Sequence, residues 1–308
     1  MCKVFFVLLF FTFSFFNFMP KVSWACACGC GIFDVGTSSM FPSGSGGTVF
    51  VDYDFMDQNH DWSKSSQASN DDAPDKKIRT SFINAGAQYM FNRKWGIQVD
   101  LPYAHRYFKT IDDDTGDTVS SSHSAVGDMR IRGIYTGFSS DMSTGLTFGV
   151  KVPTGDWTYP NFDRDVEIGS GSTDVLFGVY HRGAITADNI FSYFVQDNVD
   201  QPFLTQGGYL PGTENNAALG VYYNGWSVDG MKITPVAEIL NSYRSRDRGR
   251  AAAPANSGYE RILLAPGLEL DYKRVMVYFD VGFPVYQHMN GNQLAAPALY
   301  KVTVSYMF

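Results

Sequence analysis

Apolar and polar side chains alternate one by one through most of this chain, from about residue 47 to its last residue. The run from Val275 to Val285 has Val or Phe at every odd position and includes Tyr278, Asp280 and Gly282 at even ones. Leu146, Phe148, Val150 and Val152 alternate with Thr147, Gly149 and Lys151, and Ile97, Val99, Leu101 and Tyr103 alternate with Gln98 and Asp100. A strand sends successive side chains to opposite faces, so each run predicts a strand with one greasy side and one wet side. A helix would place Lys151 and Asp280 inside its apolar stripe, which excludes it.

Such runs predict about twelve strands, near 47–57, 79–91, 95–108, 126–138, 143–153, 171–182, 190–199, 215–225, 232–243, 259–272, 274–287 and 296–308. The connections are expected to be long at 58–78, 109–125, 154–170, 200–214, 244–258 and 288–295. Short ones fall between them, at 92–94, 139–142, 183–189, 226–231 and Lys273. Outer-membrane barrels alternate external loops with tight periplasmic turns in this way, and an even strand count puts both termini on the periplasmic side. The expected fold is all-β, a transmembrane antiparallel barrel over 47–308. After the first 25 residues no apolar stretch approaches the roughly 20 residues that a spanning helix needs.

The start of the chain has a different character. Lys3 precedes Val4–Phe18, almost wholly apolar with eight phenylalanines, and Ser23-Trp24-Ala25 offers small residues where a signal peptidase reads. This predicts a cleaved leader over 1–25 and a periplasmic segment over 26–46. The whole chain carries 24 basic and 31 acidic side chains, a net charge of −7. That balance argues against a nucleic-acid partner, whose binding rests on clustered Lys and Arg. Aromatics at 16 % without long apolar runs fit strands that face lipid outside and water inside.

The polar faces carry the candidate functional groups. Asp52, Asp54, Asp100, Asp128, Arg130, Arg132, Lys151, Glu238, Arg261, Glu269, Asp280 and Lys301 all point towards the predicted lumen. Unpaired buried charge is costly, so cross-strand ion pairs are expected. A selectivity constriction is the functional alternative, for which Asp100, Asp128, Arg130, Arg132, Lys151, Glu238, Glu269 and Asp280 are the candidates. Asp112-Asp113-Asp114 reads as a solvated acidic loop without calcium-loop spacing. Cys26, Cys28 and Cys30 form a CxCxC group, three thiols once Cys2 leaves with the leader. Closely spaced thiolates suit Cu(I) or zinc. Lipidation of Cys26, intermolecular disulfides and no role are the other readings. The five histidines show no catalytic pattern: His105 and His123 share no identifiable strand face with a serine, and no enzyme is expected.

Two stretches carry family resemblances. Tyr300 to Phe308 puts Tyr300, Val302, Val304, Tyr306 and Phe308 on one face, and looks like the C-terminal signal that the barrel assembly machinery reads. Gly127-Asp128, then Lys151-Val152-Pro153-Thr154-Gly155-Asp156, then Gly169-Ser170-Gly171-Ser172-Thr173-Asp174 follow in order. Together they resemble the outer-membrane transporters named for the meta-pathway of phenol degradation, which are loosely similar to long-chain fatty-acid transport barrels. Pro153 removes a ladder donor and Gly155 permits a sharp reversal, so this motif is expected to shape a barrel rim. The resemblance implies a Gram-negative outer-membrane channel passing small apolar or aromatic solutes. The alternative is a non-conducting barrel whose CxCxC group binds a soft metal or a periplasmic partner.

Overall fold

The computed structural model describes residues 41–68, 76–111 and 115–308. The expected leader, the three cysteines and Asp112-Asp113-Asp114 lie outside the described residues. Strands follow one another as β1 (Gly46–Gln58), β2 (His60–Lys64), β3 (Ser66–Gln67), β4 (Lys77–Met90), β5 (Trp95–Ile111), β6 (Thr118–Val126), β7 (Met129–Tyr135) and β8 (Thr144–Val152). The second half continues as β9 (Ser172–Ala184), β10 (Phe191–Thr205), β11 (Glu214–Tyr223), β12 (Trp226–Val228), β13 (Met231–Arg244), β14 (Tyr259–Tyr272), β15 (Val275–Ala295) and β16 (Leu299–Met307).

These segments make a closed antiparallel barrel of twelve staves. Segments β6 and β7 form one stave, β11 and β12 another, and β2 with β3 is a hairpin added to the far end of β15. Closure is between first and last strands, in register from Thr48 opposite Met307 to Met56 opposite Leu299. Gly47 and Phe308 exchange backbone hydrogen bonds of 3.0 and 2.9 Å at the seam. Closure leaves no edge at this seam, so its ladder groups are satisfied without water.

The two faces sort as the alternation requires. Along β15, Val275, Phe279 and Phe283 are exposed while Met276, Tyr278 and Asp280 are buried. Val51, Leu101, Phe148, Phe177, Leu219 and Ile239 extend the exposed apolar surface around the wall. A band of this size far exceeds what a water-soluble surface carries, and hydrocarbon is the solvent it fits. Aromatic pairs gather at the end with short turns, with Trp95 4.6 Å from Tyr135 and Phe191 5.3 Å from Tyr223.

Three expectations change. The linker predicted over 109–125 is largely strand, because β5 runs to Ile111 and β6 begins at Thr118. The linker predicted over 288–295 is the end of β15, which pairs with β2 through Gln293 opposite Trp62 and Leu294 opposite Asp61. The expected strand 126–138 is instead split at Gly127-Asp128. The first two extensions rise beyond the lipid band, where neither face needs to be greasy.

The lumen is unevenly filled. Phe194, Tyr222, Val236, Leu263, Met276 and Tyr278 belong to one buried apolar cluster and pack the side made by β10–β16. Free space is left chiefly along β4–β9.

Candidate functional site

Two cavities lie one above the other in that space. The inner one, nearer the short turns, measures about 80 Å³ and is lined by Phe41, Phe50, Gln88, Gln98, Arg132 and Tyr180 among others. The outer one, nearer the long loops, measures about 120 Å³ and is lined by Phe82, Pro102, Arg106, Asp128, Lys151 and Arg164 among others. Arg130 lines both. Its guanidinium Nη2 lies 3.5 Å from Asp200 Oδ2, on a strand two staves beyond its neighbour β8, so this pair reaches over β8 and β9 inside the lumen where the two cavities meet.

Most of the predicted lumen residues converge here. Arg132 Nη1 donates to Asp100 Oδ2 at 2.7 Å, and Gln98 Nε2 donates to both oxygens of the same carboxylate. Lys151 pairs with Asp174, its register partner across the β8–β9 ladder. Asp100, Asp128, Lys151 and Asp174 are all less than 9 % exposed. Glu238, Glu269 and Asp280 are buried as well, but on the packed side of the barrel, and line neither cavity. Asp54 and Asp280 stand opposite Lys301 in the two neighbouring ladders. Asp52 accepts from Asn84 Nδ2 and Thr303 Oγ1. Arg261, 1 % exposed, stacks 4.1 Å from the Tyr259 ring.

The Gly127-to-Asp174 motif closes a discontinuity in the wall. Above Gly127, β6 pairs with β5 only, and β8 stops at Val152, so no ladder joins β6 to β8. Residues 153–156 and 169–171 fill the space. The Asp128 carboxylate accepts from the Gly155 amide at 3.0 Å, the Ser170 amide at 2.8 Å and the Ser170 hydroxyl at 2.5 Å. Thr154 Oγ1 donates to the Gly127 carbonyl and accepts from the Met129 amide, both at 2.9 Å. A Cβ on Gly169 would lie 2.4 Å from the Gly155 carbonyl carbon, so the two chain segments meet only as glycines. Asp128→Ala is expected to remove about 3 kcal/mol or more of local stability, given three hydrogen bonds to one charge. Faster hydrogen exchange at the Gly155 and Ser170 amides would report it, and unchanged exchange would show that the latch carries nothing.

The loop between β8 and β9 turns into the barrel mouth. Arg106 Nη1 donates to the carbonyls of Val166 and Glu167, the latter at 2.9 Å. Phe162 and Val166 pack with Ile78, Phe108 and Leu294. His123 stacks on Tyr159 at 4.1 Å and its Nε2 lies 2.9 Å from Asp156 Oδ2. Arg164 is sandwiched between Trp157 and Tyr209, and burial lowers its affinity for the proton. The Thr158 amide holds Asp156 below the ordinary carboxylate range, whereas burial pushes Glu167 up to about 7.

Several site residues were not legible in the sequence. Phe41 and Pro42, assigned there to a segment outside the barrel, lie inside it: Phe41 stacks on Tyr180 at 4.3 Å, and Arg182 Nη2 donates to the Pro42 carbonyl. Arg106 and Arg164 were also missed. The parity of β5 signals Arg106, while nothing in the loop sequence signals Arg164. One histidine expectation is corrected: His105 Nδ1 lies 2.6 Å from Ser124 Oγ, on the outer wall where β5 pairs with β6. Among the described residues no carboxylate orients that imidazole, so the contact lacks the third group of a catalytic triad.

No family model and no curated protein matches the chain. Solved structures do. The barrel superposes on an outer-membrane channel from Pseudomonas putida F1 with a TM-score of 0.67, at 11 % identity, covering 89 % of this chain and 100 % of that one. The fold is an outer-membrane β-barrel. The β-domain of the Bordetella autotransporter BrkA matches at a TM-score of 0.50 and 10 % identity, over 86 % of this chain and all of that domain. At these identities the likeness speaks for architecture alone.

Proposed function

We propose that the protein is a passive channel for small solutes in a Gram-negative outer membrane, with both termini and the short turns on the periplasmic side. The observation that carries this is the pair of cavities aligned along the lumen and separated by the Arg130–Asp200 contact. A barrel built only as a wall or anchor would gain nothing from leaving one side of its interior unfilled, since each void forfeits packing. The apolar band meets lipid, and the terminal strand serves the assembly machinery. Small apolar or aromatic solutes suit the Phe82, Pro102 and Ala104 wall of the outer cavity. Asp100, Arg130, Arg132 and Lys151 act as a constriction whose charge is balanced by Asp200 beside Arg130 and Asp174 beside Lys151, and no catalysis is assigned. Cu(I) or zinc at Cys26, Cys28 and Cys30 is a separate proposal, tested by metal analysis of the protein against its triple serine variant.

Single-channel recording in a planar bilayer tests the main reading. A small conductance is expected from the unaltered protein, and a larger one from Phe41→Ala, because Phe41 stands in the inner cavity. Absence of current from both proteins would overturn the channel.

A further inference from the structure

The inner cavity has a chemistry of its own. Its charged groups already hold partners: Asp100 has Arg132 and Gln98, Asp52 has Asn84 and Thr303, and Lys301 faces Asp54 and Asp280. An incoming ion would have to break one of these contacts in a poorly hydrated space, where a stranded charge is strongly disfavoured. Three neutral side chains of the lining keep polar atoms unmet. Gln88 and Gln196 line the cavity and hydrogen-bond to none of the described residues, and Gln196 Oε1 is buried without a partner. Asn84 spends its amide on Asp52 and leaves its Oδ1 buried and unpaired. Thr147 adds a hydroxyl to the same lining.

These groups surround a ring position. The Phe41 ring lies 4.3 Å from that of Tyr180 with only 4° between their planes. Phe41 and Pro42 are buried, but the Ser43-Gly44-Ser45 tether behind them is not, and a Cβ on Gly44 would meet nothing within 4 Å. The ring is held by Tyr180 and by the Arg182 contact to Pro42, while the tether behind it packs against little. An engineered cavity on the order of 150 Å³ takes a benzene ring. Displacing the Phe41 ring would enlarge the 80 Å³ already open towards that size, enough for a six-membered ring with its substituents in the existing space.

We infer that the inner cavity is a binding subsite for a neutral six-membered-ring solute carrying several hydroxyl groups, with Phe41 standing in the place its ring would take on Tyr180. The carboxamides of Gln88, Gln196 and Asn84 and the Thr147 hydroxyl each donate to or accept from one hydroxyl. Leaving such groups unmet is what lets a polar site reject an unsubstituted ring. This assignment rests on the channel reading and names the solute class for its inner half.

The test uses the full chain in detergent, titrated calorimetrically with glucose, and with toluene and benzoate as a ring lacking hydroxyls and a charged ring. Glucose is expected to bind, and the other two to displace it only at concentrations at least tenfold higher. Gln88→Leu and Gln196→Leu are expected to weaken glucose at least tenfold, while Phe41→Ala strengthens it by removing the internal competitor. Equal glucose affinity in the Leu variants, displacement of glucose by toluene or benzoate at lower concentrations than glucose itself requires, or weaker glucose binding in Phe41→Ala would each overturn the subsite. In the bilayer, glucose is expected to interrupt the current in brief blockades that the Leu variants lose. Glucose binding in a protein that carries no current would leave the subsite standing and remove the channel.

Discussion

Replacing Arg132 with Met is expected to destabilise the barrel by about 3–5 kcal/mol, with most of the loss recovered when Asp100→Leu is added. The guanidinium and carboxylate meet at 2.7 Å with side-chain exposures of 13 % and 4 %. Without Arg132, the Asp100 carboxylate keeps the Gln98 amide but loses the cation that neutralises it, in a position only 4 % exposed. The penalty comes from stranding that charge, not from losing the attraction itself. An apolar pair of similar volume removes the stranded charge, which is why the double variant returns towards the original stability. Because Asp100 also lines the inner cavity, partial hydration places the effect near the lower end of the range. Urea unfolding in detergent, followed by tryptophan fluorescence through a double-mutant cycle, measures it. Equal losses in the single and double variants would show that the pair is packing rather than compensated charge.

The same strands show what the sequence makes visible. Where a stave crosses lipid, hydrocarbon on one side and the lumen on the other impose a period of two. The expected 259–272 strand therefore coincides with β14, and Asp100, Lys151 and Asp280 face inward as their parity requires. Beyond the lipid band that constraint lapses. Ser120, Ser122 and Ser124 in β6 carry no outward grease and read as a loop, although they pair with β5 residue by residue. The pairing of charges followed the same limit. Lys151 with Asp174 is a ladder neighbour and fits the expectation of cross-strand pairs. Arg130 with Asp200 reaches over two intervening staves, and linear parity says which face a residue takes but not which non-adjacent stave it meets. Phe41 sits in a Phe-Pro-Ser-Gly-Ser-Gly-Gly stretch with no periodicity, so its place inside the barrel could come only from three dimensions. The neutral amides were hidden for another reason: parity turns Gln88 and Gln196 inward but does not say which inward groups find a partner.

Acidification is expected to close the channel, through Glu167 on the loop between β8 and β9. This carboxyl is 8 % exposed, with Oε2 lacking a partner, and burial pushes it up to about 7. Asp156 pushes the same way, while Arg164 and Arg106 oppose it. The docked loop therefore favours the protonated form, whereas an undocked one would titrate at the ordinary value of 4.5. Between those two values docking takes up a proton, so it weakens as pH rises, by at most about tenfold per pH unit, and is flat above about 7. Asp156 does not reverse this, because it is held below the ordinary carboxylate range and stays charged across the window. Since the loop lies over the outer cavity, single-channel conductance should fall as the bath is taken from pH 8 to pH 5. Glu167→Gln, which mimics the protonated carboxyl, should give the low acid conductance at every pH. Persistence of the original pH profile in that variant would place the proton elsewhere and separate the docking of this loop from the control of current.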